Sequence, residues 1–185
     1  GQKRTMTQFL QTLLDSLARI SSVAPGELLA PVRGAILGYR RKARLAVRHV
    51  ERKGRVLVGF REAEKPWVVD MLSCATADPA ISRLIEPLSA LIGRLSIRAR
   101  LPQVEATVAD NATALVFRVL DPPMPADRDE LREFAASQAV RIYLQPGSPE
   151  SVVPLDPEAV WDDLHYRLPA FDLTLTFGPT DFIQV

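Results

Sequence analysis

Apolar positions along the chain fall into two rhythms. Between residues 5 and 20, Met6, Phe9, Leu10, Leu13, Leu14, Leu17 and Ile20 recur at steps of three and four, which predicts an amphipathic helix. The rhythm returns after Asp78-Pro79, through Ile81, Leu84, Ile85, Leu88, Leu91, Ile92 and Leu95. Asp78 is expected as its N-cap and Pro79 at the first helical position, where a missing N–H costs nothing. Pro87, inside the stripe, is expected to kink it. Elsewhere the period shortens to two. Read as a strand, Ala43, Leu45 and Val47 share one face with Arg41 and His49, while Arg40, Lys42, Arg44 and Arg48 share the other with Ala46. A Lys53-Gly54 turn and the row Val56, Val58, Phe60 make this a hairpin with one side in the core and a ladder of cations on the other.

Further strands are expected at 67–70, at 104–108 with Glu105 and Thr107 facing out, at 114–120 after an Asp110-Asn111 turn, and at 142–144, 152–153, 165–168 and 171–177. Asp127, with Glu130 three residues on, reads as the cap of a short helix through Leu131 and Phe134. Three helices among about eight short strands predict an α+β fold with a mainly antiparallel sheet.

Charge sharpens this picture. Tyr39 to Arg61 holds nine Lys/Arg against the single acid Glu51. Residues 1–61 balance at +10 and residues 62–185 at −9, so the formal +1 of the whole chain hides a polarised molecule. A cationic sheet face suits a polyanion, because each phosphate it neutralises releases counterions. Two further readings stand beside that one: a solvated strand face, and a basic surface that meets an acidic protein partner.

The search for catalytic chemistry returns little. There is no phosphate-cradling glycine loop and no G-x-S-x-G elbow. His49 and His165 lie far apart in no ligand spacing, Asp162-Asp163 lacks a third nearby acid, and Trp67, Trp161, Tyr143 and Tyr166 are spaced for strand packing. Cys74, the single cysteine, excludes an internal disulfide framework and fits a reducing, cytoplasmic setting. It reads either as a small buried hydrophobe or as one ligand of a cluster whose other ligands lie outside the chain. No apolar run approaches the ~20 residues of a membrane span, and no signal-peptide pattern is present. Both ends look abrupt, as in a piece of something larger.

Several blocks follow one another in a telling order: Tyr39-Arg40-Arg41-Lys42-Ala43-Arg44-Leu45, Val58-Gly59-Phe60-Arg61, Asp70, Cys74, Leu101-Pro102-Gln103-Val104-Glu105, and Asp181-Phe182-Ile183-Gln184-Val185. The chain resembles the central segment of the 23S ribosomal RNA (uracil-5-)-methyltransferases, which use S-adenosylmethionine and carry a [4Fe–4S] cluster. The resemblance implies three parts: a helix in 1–24 that packs on a methyltransferase domain outside the chain, a central RNA-contacting domain over 34–178, and the threshold of the methyltransferase domain at 179–185. It implies 23S rRNA contacts at Arg40, Arg41, Lys42, Arg44, Arg48 and Arg61, a target-base pocket at Phe182, methyl-donor contact at Gln184, and Cys74 as the fourth cluster ligand. The family's nucleophilic cysteine and general base have no counterpart here. The piece alone is therefore expected to be inactive, with neither S-adenosylmethionine nor the cluster bound, and to self-associate through the apolar stripe of helix 5–20. A non-enzymatic scaffold domain is the alternative.

Overall fold

The computed structural model describes residues 6–22, 25–30, 34–62, 65 and 67–183. The chain forms two compact units, residues 1–34 and 35–185. The first carries α1 (Met6–Ser21), which matches the predicted periodicity. Phe9, Leu13, Leu17 and Ile20 are exposed along it, and Gln11 donates to Asp15 one turn on.

The second unit is built on a six-stranded sheet of β1 (Lys42–Val50), β2 (Arg55–Gly59), β3 (Gln103–Val108), β4 (Thr113–Arg118), β5 (Val140–Gln145) and β6 (Val153–Pro154), in the order β2-β1-β3-β4-β5-β6. The predicted basic hairpin is β1–β2. Its connection is a 3-10 turn at Glu51–Lys53 closed by Gly54, whose φ of 61° suits a residue without a Cβ. All pairings are antiparallel except β4–β5, which run parallel because the 14-residue α4 (Pro125–Gln138) crosses between them. The sheet is therefore mixed, though mainly antiparallel.

Inward residues alternate as the pattern demands. Leu45, Val47, Val56, Val58, Val104, Leu115, Phe117, Ile142 and Leu144 form one core with the helices α2 (Pro79–Ser82), α3 (Ile85–Arg94) and α4. Asp78 caps α2 as predicted, accepting from Ala80 N–H at 2.8 Å. The single helix expected from Pro79 to Ser96 is instead two. The break falls at Arg83-Leu84, one turn before Pro87, because Pro87 has no N–H for the Arg83 carbonyl and its ring crowds that group. Pro87 thus sits in the first turn of α3 rather than at a mid-helix kink.

Two further expectations are corrected. Asp127 is not the N-cap of α4; the helix starts at Pro125, and Asp127 reaches back to accept from Met124 N–H at 3.0 Å. It also accepts from the N–H and hydroxyl of Ser96 at 2.7 and 2.6 Å, pinning the end of the α3 segment to the start of α4. The strand expected at 67–70 is reduced to a single bridge between Arg61 and Val68. Val69 N–H donates to Phe60, and its carbonyl lies so close to Gly59 that any Cβ there would overlap it.

A separate hairpin, β7 (Leu164–Leu168) and β8 (Leu173–Phe177), covers one end of the outer face of the sheet. Leu164 and Phe177 pack there against Ala114 and Tyr143. The Asp110-Asn111 turn grips it: Asp110 Oδ2 accepts from Arg167 N–H, Asn111 donates to the Asp163 carbonyl, and Asp110 N–H donates to the His165 carbonyl. Asp110 Oδ1 receives Arg41 at 2.6 Å; that bond and the Arg167 N–H hold its carboxyl below the usual carboxylate range.

Candidate functional site

The outer face is not the free ladder of cations that alternation suggests. β1 lies beside β3 with Arg44 opposite Glu105 and Lys42 opposite Thr107. Glu105, expected to face solvent, is buried between the two cations, at 2.8 Å from Lys42 Nζ and 3.1 Å from Arg44 Nε. Thr107 is buried beside it. Lys42, only 16% exposed, also donates to the carbonyls of Pro179 and Asp181 and so ties the C-terminal segment to the central strands. Arg41 holds Asp110, and at the hairpin tip Arg55 and Lys53 both face Asp70. Arg40 lies over the Phe60 ring at 5.7 Å and Arg48 over Trp67 at 5.8 Å. Of the six cations singled out by sequence, Arg41 and Lys42 thus serve mainly to fasten the fold.

Two of the remaining four, Arg44 and Arg61, open onto a groove of about 430 Å³. Arg44, with 72% of its side chain exposed, and the exposed Arg61 line it together with Gln103, Arg118 and Gln145. No ion pair holds Arg61 among the described residues. Arg118 reaches the groove from β4 and donates to the carbonyls of Gln145 and Gly147, which orients its guanidinium. Sequence reading missed Arg118 because it lies far from the basic hairpin. Only the pairing of β3 with β4, which sets Gln103 opposite Arg118, brings it near. Three guanidiniums and two carboxamides along an open groove, with Glu105 beneath Arg44 as its one acid, are suited to phosphate oxygens and base edges.

Cys74 lies half-buried in the loop before α2. Burial works against its thiolate, but the Thr76 hydroxyl at 3.3 Å, the N–H groups of Ala77 and Thr76 and the charge of Arg40 outweigh it and lower the thiol pKa. Such a sulfur suits a thiolate ligand. It is a single one, however: no cluster of three His, Cys, Asp or Glu able to hold a metal occurs among the described residues. Phe182 is 85% exposed near the C-terminal end. Gln184, expected to contact the methyl donor, lies outside the described residues.

No protein-family model matches the chain. Curated relatives do. The chain is 46% identical over 175 residues to the 23S rRNA (uracil(1939)-C(5))-methyltransferase RlmD of Ralstonia nicotianae, which covers 95% of this chain and 38% of that enzyme. The likeness to the enzyme of the same name from Methylococcus capsulatus is 46% over 173 residues, or 94% of this chain and 39% of the relative. The chain therefore spans well under half the length of the relatives it matches. Among solved structures, a tRNA (uracil-54, C5)-methyltransferase of Pyrococcus abyssi in complex with S-adenosyl-L-homocysteine superposes with a TM-score of 0.64, at 20% identity, over 97% of this chain and 45% of that one. At that identity the likeness concerns the fold. No helix among the described residues is long and apolar enough to cross a membrane.

Proposed function

We propose that this chain, homologous over nearly all its length to a segment of the 23S rRNA uracil-C5 methyltransferases, is the part of such an enzyme that grips the RNA around the target uridine. The carrying observation is the groove lined by Arg44, Arg61 and Arg118 on the outer sheet face. Its guanidiniums neutralise backbone phosphates, and Gln103 and Gln145 offer carboxamides to base edges or ribose hydroxyls. A base must leave its stack before its C5 can be reached, and a refolded RNA loop needs a surface that holds it in that shape. The bond-making groups, a thiolate that adds to C6 and a base that removes the C5 proton, belong to the remainder of the enzyme. So does the binding of S-adenosylmethionine, apart from the contact proposed for Gln184. Phe182, exposed near the C-terminal end, belongs by the same reading to the target-base pocket. Cys74 fits as one ligand of a [4Fe–4S] cluster, which would anchor the loop before α2; its other ligands would come from outside this chain.

The test is RNA binding by the chain at several salt concentrations, with Arg44→Ala beside Arg128→Ala. Arg128 donates to the Leu155 carbonyl, away from the groove. Loss of Arg44 should weaken binding and flatten the salt dependence by roughly 0.7 in slope, the value for one phosphate on a single strand. Equal effects of the two substitutions, or none, would leave the groove without an RNA role. S-adenosylmethionine-dependent labelling of RNA by the pure chain would overturn the division of labour.

A further inference from the structure

A second basic groove, of about 420 Å³, opens where β1 overruns the start of β3. β3 begins opposite Ala46, so residues 47–50 project beyond it, and the 98–102 segment forms the floor below them. Arg48, His49, Arg52 and Arg98 line this groove, with Glu51 as its one acid. Arg52 and Arg98 are exposed, and neither has an ion-pair partner among the described residues. Arg98 only donates to the carbonyl of Leu95, three residues back. This differs from the other cations of β1 and its hairpin, most of which face Glu105, Asp110 or Asp70.

Two further features connect the groove to a ligand. Pro102 lines both this groove and the one at Arg44, so the two adjoin just before the start of β3. From Arg44 to Val50 β1 advances six positions, roughly 20 Å at the rise of a strand, which is the reach of several nucleotides, and Arg52 lies in the turn just beyond. Arg48 also carries the groove toward Trp67, a residue 57% exposed whose ring lies under the guanidinium at 5.8 Å. A cationic channel ending on an open aromatic ring is how proteins hold single-stranded nucleic acid, phosphates on the cations and a base on the ring.

The geometry points to a second RNA-binding subsite, in which Arg52 and Arg98 take phosphates of a single-stranded segment and Trp67 stacks on one of its unpaired bases. It extends the track that begins at Arg44 and rests on the reading that the outer face grips RNA.

The probe is an unstructured RNA decamer, titrated by anisotropy into the full chain and into Arg52→Ala/Arg98→Ala and Arg44→Ala/Arg61→Ala. Emission is followed in a Trp161→Phe background, where Trp67 is the only tryptophan left. The first double variant should flatten the salt slope by roughly 1.4 and lower affinity on the order of tenfold at 0.1 M salt. Trp67 emission should fall as RNA saturates the chain. Native affinity in the Arg52/Arg98 variant, alongside weakened binding in the Arg44/Arg61 variant, would overturn the subsite and leave the first groove standing. Native affinity in both would overturn both. Unchanged Trp67 emission at saturation would remove the stacking role. Polyglutamate binding as tightly as the decamer would assign the groove to an acidic protein instead.

Discussion

Replacing Glu105 should move stability and RNA affinity in opposite directions. Its carboxylate is 7% exposed and lies 2.8 Å from a Lys42 ammonium that is itself only 16% exposed. Removing one member of a buried pair leaves the other uncompensated, at a cost of about 3–5 kcal/mol. Lys42 keeps the carbonyls of Pro179 and Asp181, and Arg44 on the other side is open to water, so Glu105→Ala should fall at the low end of that range. Glu105→Gln retains an acceptor for Lys42 and loses only the charge, for about 2 kcal/mol. In a unit of this size that lowers Tm by roughly 4–8 °C. The same substitution removes the negative charge 3.1 Å from Arg44. A phosphate seated on Arg44 would lie some 7 Å from that carboxylate; relief of the repulsion in a watery groove is worth about 0.6 kcal/mol, near a threefold gain in affinity. Thermal melts and RNA anisotropy on the Gln variant check both halves. Weakened RNA binding at an unchanged Tm would refute the account, since Glu105 would then be presenting Arg44 to the RNA rather than screening it.

Asp127 yields a pH-dependent prediction. Burial raises its pKa, but the hydroxyl and N–H of Ser96 and the N–H of Met124 more than offset that and hold the carboxyl below the usual range. A depressed folded pKa gives stability that is complete above the unfolded value of about 3.9 and is lost as pH falls through the folded one. Asp127→Ala should therefore cost about 2–3 kcal/mol at pH 7, with the gap in urea midpoints narrowing below pH 4; a gap independent of pH would contradict it. Cys74 should be alkylated by iodoacetamide with a pH midpoint below the ~8.5 of a free thiol, and Thr76→Val should shift that midpoint upward. A native midpoint at the free value would show that the Thr76 and backbone hydrogen bonds do not favour the thiolate.

The basic hairpin, α1 and the cap of α2 were legible in the sequence because each rests on local periodicity or a local hydrogen bond. What the sequence hid was cross-strand register. Alternation alone sends Glu105 and Thr107 to solvent; their burial depends on β1 on one side and on β7–β8 closing over that end of the face. For the same reason the cations at Arg41 and Lys42 looked free, their acids being over 60 residues away. Arg118 and Arg98 escaped notice because both lie far from the basic hairpin in sequence and reach a groove only through the placement of β3. Asp127 was identified as a capping residue but misplaced by one turn, since the bonds that fix it come from Ser96, 31 positions earlier.

The crowding of Val69 against Gly59 has a consequence for the edges of the sheet. An edge strand offers unpaired N–H and C=O groups to any passing chain and so invites assembly into larger sheets. On β2 that edge is shielded by the chain's own 67–71 segment, which can lie so close only because Gly59 has no side chain. On the opposite side β6 is two residues long and ends in a proline, which has no donor to extend a ladder. With both edges blunted, the sheet is left with its outer face as the surface open to association, and what that face offers a ligand is side chains, not strand backbone.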